Sequence, residues 1–357
     1  MDKHSTNNQS HILVTGAAGF IGCNFIRFVL NKNIRVTALD KLTYAGRYRS
    51  IVPFLACPKF DFIKCDINNP DMISKISLTR DNEKFSAVVN FAAETHVDRS
   101  ISDPELFFET NVMGVQRLIL SLMKSKYCTP DFRFIQVSTD EVFGSVEAGS
   151  FHENTPYKPN SPYAASKASA DHLVRAAFKT YDFPAIITNC SNNFGPFQLP
   201  EKLIPLIIIN ALNERALPVY GDGTQVRDWL YVEDHCSAIL SVLERGKVGE
   251  SYMIGANNRV KNIEMVNMIC DLLDQSHPRL FGKSYRDLIM FVRDRPGHDQ
   301  QYAVNPAKIQ NNLGWSPQTK LAAGLKNTIS WYLDNQKWWR SIGDNSKQLD
   351  RFGINRG

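Results

Sequence analysis

Thr139, Asp140 and Glu141 stand in a row at the end of the apolar run FRFIQVS, and Tyr163 and Lys167 follow at helical spacing. A tyrosine next to an ammonium suits removal of an alcohol proton. The positive charge favours phenolate and should draw the phenol down from its usual value near ~10 toward the working range. Two adjacent carboxylates resist double ionisation, so one can stay protonated as an acid while the other serves as a base. Taken together, these are parts for oxidising a sugar alcohol and then eliminating water from it. One condition follows from strand geometry, which points neighbouring side chains to opposite faces. The chain must turn out of strand conformation after Thr139 if Asp140 and Glu141 are to face one substrate. The plainer reading, that Ser138, Thr139 and Asp140 only cap the next helix, yields to the preceding strand and the Tyr163 that follows.

Ser161 and Pro162 read as the cap and first turn of a helix whose face carries Tyr163 and Lys167 at i and i+4. Y-x-x-x-K alone is common on helical surfaces; its place behind the Ser138-Thr139 strand end is what gives it weight. Earlier in the chain, Gly16, Gly19 and Gly22 follow a strand at three-residue spacing and open a helix. Small residues there let the backbone approach a pyrophosphate, and the helix N-terminus favours its charge. Asp40 ends the second strand, 18 residues beyond Gly22, where an acidic side chain accepts from ribose hydroxyls and repels a 2′-phosphate. Lys41 beside it could argue for NADP, but the carboxylate decides for NAD. Asp66 and Ile67, after the third strand, are placed to reach the adenine edge; a helix-capping Asp66 is an equal alternative.

These residues need a scaffold, and the pattern supplies one. HILVTG, IRVTALD, FDFIKCD, SAVVNFAA, FRFIQVS and AIITNC are short runs apolar on both faces, as buried parallel strands should be. Amphipathic stretches at Ile21 to Leu30, Glu105 to Lys124 and Tyr163 to Lys179 lie between them. The expectation is an α/β fold, a Rossmann-type doubly wound parallel sheet, with a smaller C-terminal α/β substrate-binding domain. The expected divisions are an N-terminal arm over 1–10 and an NAD-binding domain over 11–191, with a strand and helix returning at about 225–255. A mainly substrate-binding part follows over 192–340, then a tail over 341–357.

Composition narrows the class. The chain has 357 residues, 43% hydrophobic and 22% charged, the balance of an ordinary globular protein. A net charge of +5 with no block of five basic residues argues against nucleic-acid or membrane binding. The greasiest run, Leu203 to Leu212, is too short to span a bilayer. Seven scattered cysteines without C-x-x-C fit reduced thiols in a cytoplasm. His152, His172, His235 and His277 have no spacing that suggests a metal, and Trp331, Trp338 and Trp339 read as packing.

From Ile12 to Leu333 the chain resembles the extended short-chain dehydrogenase/reductase family that acts on nucleotide sugars, and within it the branch of dTDP-glucose 4,6-dehydratases. The resemblance is carried by TGAAGFIG, DKLTYAG, FAAETHVDRS, STDEVFG, SPYAASK, NCSNNFGP, PEKLIP, VRDWLYVEDH and RPGHD. Departures are small: Phe143 stands where a tyrosine is usual, Ala17 replaces a common glycine, and the loop from Gly144 to Pro159 is short. The resemblance implies a tightly bound NAD regenerated in each turnover. Its contacts would be Phe20, Ile21, Lys41, Leu42, Thr43, Phe91, Ala92, Ala93, Thr95, Thr110 and Asn193, beside the glycines, Asp40, Asp66, Ile67, Tyr163 and Lys167. It implies Tyr163 as base at the sugar C4 hydroxyl, Lys167 holding the tyrosine's charge and the nicotinamide ribose, and Thr139 on the C4 oxygen. Glu141 would remove the C5 proton, and Asp140 would protonate the departing C6 hydroxyl.

For the substrate, the resemblance implies Asn192, Glu201, Lys202, Leu203, Pro218 and Tyr220 around base and sugar. Arg227, Arg293 and Arg295 would grip the diphosphate with His298 and Asn262. Thr95 would meet both ligands, while His96 and Arg99 read equally as helix-start contacts. A homodimer through the Glu105 to Lys124 and Tyr163 to Lys179 helices is also implied. The alternatives are a UDP-glucose 4,6-dehydratase, a C4-epimerase or decarboxylase of the same family, and a non-catalytic dinucleotide sensor. The epimerase and decarboxylase have no need of the Asp140/Glu141 pair, and a sensor would be expected to have lost Tyr163 or Lys167.

Overall fold

Seven parallel strands form the centre of the computed structural model, which describes residues 10–77, 84–125, 131–146, 149–294 and 296–343. In chain order they are β1 (His11–Thr15), β2 (Arg35–Asp40), β3 (Phe60–Lys64), β4 (Ala87–Asn90), β5 (Arg133–Thr139), β6 (Ala185–Cys190) and, after three short strands, β10 (Ser251–Ile254). Their spatial order is β10-β6-β5-β4-β1-β2-β3, so the winding reverses between β1 and β4. Such a switch point leaves a crevice at the carboxyl ends of the strands.

Each strand forms where the sequence is apolar on both faces. In β1, Leu13 faces one core layer with Val88, Phe134 and Ile187, while Ile12 and Val14 face the other with Val89, Ile135 and Ile186. Burying one such aliphatic side chain contributes about 1.5–3 kcal/mol, which fixes the parallel register. All six strands read from the first half of the sequence are present, and the later helix Val232–Arg245 and β10 return to the sheet.

The helix Phe20–Leu30 follows β1, and Pro162–Tyr181 runs between β5 and β6 with Ser161 Oγ accepting from Ala164 N at 3.1 Å. The Glu105 to Lys124 stretch differs from a single helix. It is Pro104–Phe108, a π-helical turn Glu109–Met113, then Gly114–Met123. Thr110 and Asn111 in that turn are both buried; Thr110 lines the crevice, and Asn111 bonds the Glu94 backbone and Ser166, a functional placement common for a π-bulge.

The remaining strands, β7 (Asn192–Phe194), β8 (Leu217–Tyr220), β9 (Val226–Tyr231), β11 (Arg259–Lys261) and β12 (Ile289–Val292), make a three-stranded and a two-stranded sheet. The helices Leu203–Leu212 and Asn262–Ser276 pack against these strands and against each other. Trp331, Trp338 and Phe197 pack ring on ring, with centroids 4.6–5.7 Å apart. That is the packing role read for the C-terminal tryptophans. Among the described residues no helix is long and apolar enough to cross a membrane, and no cluster of His, Cys, Asp or Glu could hold a metal ion. Residues 1–9 of the arm, 344–357 of the tail and Arg295 lie outside the described residues.

Candidate active site

The crevice at the switch point is a single cleft. Its walls include Gly16, Gly19, Phe20, Ile21, Gly22, Asp40, Lys41, Thr43, Asp66, Ile67, Phe91, Ala92, Ala93, Thr95 and Thr110 at one end. Thr139, Asp140, Glu141, Tyr163, Lys167, Asn192, Asn193, Glu201 and Lys202 line the other.

The glycine end is shaped by close approach. Gly16 has φ +63°, and a Cβ there would lie 2.6 Å from Ala92 N and Phe91 C in the turn after β4. A Cβ on Gly22 would lie 2.2 Å from Gly16 O. Gly19 caps the helix Phe20–Leu30 with no side chain, which leaves backbone N–H groups facing the cleft. At the tip of β2, Asp40 accepts from Ala18 N at 2.9 Å and Leu42 N at 2.7 Å, so its carboxylate is fixed in place. Burial raises its pKa, and those two bonds oppose the rise. Lys41 reaches Asp66 at 3.5 Å and Thr110 at 3.5 Å; Asp66 lines the cleft and accepts from Asn68 N in a local turn, but it caps no helix, since the next one starts at Met72. Buried oxygens on Glu94, Asn192 and Asn193, which line the cleft, have no hydrogen-bond partner among the described residues. These features fit a dinucleotide. Gly22→Ala is expected to weaken dinucleotide binding by about tenfold or more, since overpacking costs about 1–3 kcal/mol. A fluorescence titration measures it, and unchanged affinity would contradict the cradle.

At the other end β5 stops at Thr139 and the chain enters a 3₁₀ turn, Asp140–Phe143. The turn out of strand conformation is present, and both carboxylates line the cleft. Thr139 Oγ1 also accepts from Glu141 N at 3.3 Å, so it caps this turn, as in the plainer reading, while lining the cleft. Asp140 is 2% exposed and its Oδ2 has no hydrogen-bond partner among the described residues. Burial first, then the negative charges of Glu141 and Asp228, hold its carboxyl well above the usual range; Arg227 and Thr139 pull the other way. A buried carboxyl kept neutral in this way is a proton donor.

Tyr163 departs from expectation. Its phenol is pushed up, by burial first and then by Glu141 and Cys190, with Thr139's hydroxyl opposing. The expected lowering by Lys167 is not seen: burial dominates the phenol, and the ammonium's hydrogen bond goes to Val137 O at 2.8 Å. Burial lowers the Lys167 pKa, and the Asp171 and Cys190 charges raise it.

Several expected cofactor and substrate residues sit elsewhere. Leu42 and Leu203 do not line the cleft; both pack against the hydrophobic core. Pro218, Tyr220, Asn262, Arg293 and His298 form a second group on the covering sheets, outside this cleft. The β8/β12 register pairs Val292 with Tyr220, Asn262 N donates to Gln225 O, and the Tyr220 and His298 rings lie 6.1 Å apart. Tyr220 donates to Asp98 at 2.9 Å, linking this group to the helix Val97–Ser102 behind Thr95. Arg227, expected at a diphosphate, is buried. Its guanidinium donates to the carbonyls of Val226, Asp299 and Gln300 and stacks 4.2 Å from the Tyr302 ring. His96 is the helix-start contact of the plainer reading, with Nδ1 accepting from Arg99 N at 3.4 Å.

Sequence reading missed Asp171, Ser138, Cys190 and Glu94. Asp171 continues the Tyr163/Lys167 spacing by one more turn, a signal that was available. The rest are ordinary residues whose importance comes from strands meeting in space.

The GDP-mannose 4,6 dehydratase family model matches residues 13–328. A dTDP-glucose 4,6-dehydratase of Xanthomonas campestris pv. campestris is 49% identical over 96% of this chain and 98% of its own. Among solved structures, the dTDP-glucose 4,6-dehydratase DesIV of Streptomyces venezuelae, with NAD and TYD bound, superposes with a TM-score of 0.86. It is 41% identical, over 93% of this chain and 99% of its own. A dTDP-glucose 4,6-dehydratase of Bacillus anthracis in complex with NAD gives a TM-score of 0.82 at 44% identity, over 93% and 99%. These relatives are dTDP-glucose 4,6-dehydratases, and the chain belongs to the GDP-mannose 4,6 dehydratase family.

Proposed function

We propose that this chain is an NAD-dependent hydro-lyase that converts dTDP-glucose to dTDP-4-keto-6-deoxyglucose and water. The observation that carries the reading is that Asp140 and Glu141 share one cleft with Tyr163 and Lys167, beside a dinucleotide cradle. When bound, NAD supplies the reversible two-electron oxidation at the sugar, and its positively charged ring favours the Tyr163 phenolate.

Tyr163 takes the proton of the C4 hydroxyl while Thr139 donates to the C4 oxygen. A ketone at C4 acidifies the neighbouring C5–H, so Glu141 can remove that proton. The C5–H electron pair becomes a C5–C6 double bond as the C6–O bond breaks, and Asp140 gives its proton to the departing oxygen, which leaves as water. C6 is then reduced, C5 regains a proton, and the oxidised dinucleotide is restored within the turnover. Arg293, His298, Asn262 and Tyr220 bind the nucleotide diphosphate from the covering sheets, and Asn192, Glu201 and Lys202 hold the sugar. The substrate-binding part is mainly residues 192–340, apart from the helix and strand at about 225–255 that return to the dinucleotide-binding sheet.

The thymine base is supported by the relatives' substrate. One methyl group is worth only ~1–3 kcal/mol of discrimination against uridine. Incubation with dTDP-glucose and UDP-glucose in competition tests the reading. A 4-keto-6-deoxy product from dTDP-glucose is expected, and a C4 epimer without loss of water would overturn it. The product suits deoxysugar synthesis such as that of dTDP-rhamnose for surface polysaccharide, in the cytoplasm.

The chain also acts as a homodimer. Phe108, Met113 and Leu120 are 40%, 38% and 41% exposed along the Glu105 to Lys124 stretch, an apolar strip that a second copy would cover. Leu120→Glu is expected to shift the sedimenting species toward monomer; an unchanged mass would contradict this face as the interface.

A further inference from the structure

Asp171 lies one turn beyond Lys167 on the helix Pro162–Tyr181, at i+4, and is fully shielded from solvent. Three donors from three different elements converge on its Oδ2. They are Ser138 Oγ of β5 at 2.7 Å, the Tyr157 hydroxyl from the loop before the helix at 3.0 Å, and Asn189 Nδ2 of β6 at 3.3 Å. Tyr157 is held in turn by the Arg175 guanidinium, 5.2 Å over its ring, and by Phe143, 4.9 Å away edge to face. The other oxygen, Oδ1, has no hydrogen-bond partner among the described residues.

A buried carboxylate with one oxygen unsatisfied is costly unless a charge offsets it. The offsetting charge is Lys167, itself 4% exposed, whose only described hydrogen bond is to a neutral carbonyl, Val137 O. The groups acting on Lys167 are Asp171 and the Cys190 thiol, and those acting on Asp171 are Lys167, Ser138, Tyr157 and Asn189. Resting on the dehydratase reading, we propose that Asp171 is a positioning residue that keeps Lys167 charged and in place beside Tyr163. The three donors hold the carboxylate; its charge acts on the ammonium one turn away, with no direct ion pair between them among the described residues; the ammonium serves the phenolate. Asp171 itself touches no reacting atom.

The sign of the effect follows from charge. Asp171's negative charge raises the proton affinity of Lys167, so removing it lets Lys167 lose its proton at lower pH. In Asp171→Asn holoenzyme, kcat is expected to fall roughly tenfold or more, with KM nearly unchanged, and the alkaline limb of kcat to move down by roughly one pH unit. Tyr157→Phe removes one donor and should shift the limb the same way by less; it carries the test if Asp171→Asn fails to fold. A second readout needs no turnover. NAD affinity, measured by calorimetry at about pH 7 and about pH 9, should fall more between the two values in the variants than in the wild type. An alkaline limb and a pH dependence of NAD affinity both unchanged in both variants would overturn the proposal. Failure of the wild-type chain to turn over dTDP-glucose would overturn the proposed function, and the NAD measurement would still decide for or against Asp171.

Discussion

Asp140→Asn is expected to form the 4-ketone from dTDP-glucose and then to lose water roughly 10²–10⁴-fold more slowly than the wild type. Asparagine matches aspartate in size, so the 3₁₀ turn and the contact with Thr139 survive, but it has no proton to give the departing C6 oxygen. The wild-type carboxyl can give one because burial and the charges of Glu141 and Asp228 hold it well above the ordinary range. A carboxyl raised in this way is in its neutral, donating form below its own pKa and loses that form as pH rises through it. The elimination step should therefore slow on the alkaline side in the wild type, and Asp140→Asn should lack that limb. Rapid quench with mass detection would show the unreduced 4-keto-glucose nucleotide accumulating; dehydration at the wild-type rate would refute the assignment.

Tyr163→Phe should act one step earlier. Without the phenol no group within the cleft takes the C4 hydroxyl proton, and the first oxidation should slow by roughly 10²–10⁴-fold, about 3–5 kcal/mol of barrier. The buried phenol is pushed up rather than down by its surroundings. Tyr163 thus becomes an effective base only when the bound dinucleotide adds positive charge to that of Lys167. Single-turnover absorbance of the bound nicotinamide reads this step directly, and an unchanged amplitude and rate would contradict the role.

What the sequence revealed and what it hid divide along physical lines. Apolar runs and turn residues are local signals, so the six central strands, the helix of Tyr163 and Lys167 and the turn after Thr139 were legible in advance. The π-turn at Glu109–Met113 was not, because one added residue leaves the amphipathic pattern of a helix almost unchanged. Side-chain direction was the other blind spot. Arg227 has the chemistry of a phosphate clamp, yet the approach of the Asp299–Gln300 backbone satisfies its guanidinium inside the protein. The Tyr163/Lys167 spacing suggested that the ammonium would set the phenol's proton affinity, whereas burial dominates it. Asp171 belongs to the same class: its partners come from β5, β6 and a loop, and only the fold brings them to one oxygen.

The account stands on one cleft performing oxidation, elimination and reduction on the same sugar without exchange of the cofactor. Turnover of dTDP-glucose carrying deuterium at C4 tests that most directly. The account predicts dTDP-4-keto-6-deoxyglucose with the deuterium now at C6 of the same molecule and one solvent-derived hydrogen at C5. A C4 epimer that still contains the C6 hydroxyl, or a dehydrated product with no deuterium at C6, would contradict it.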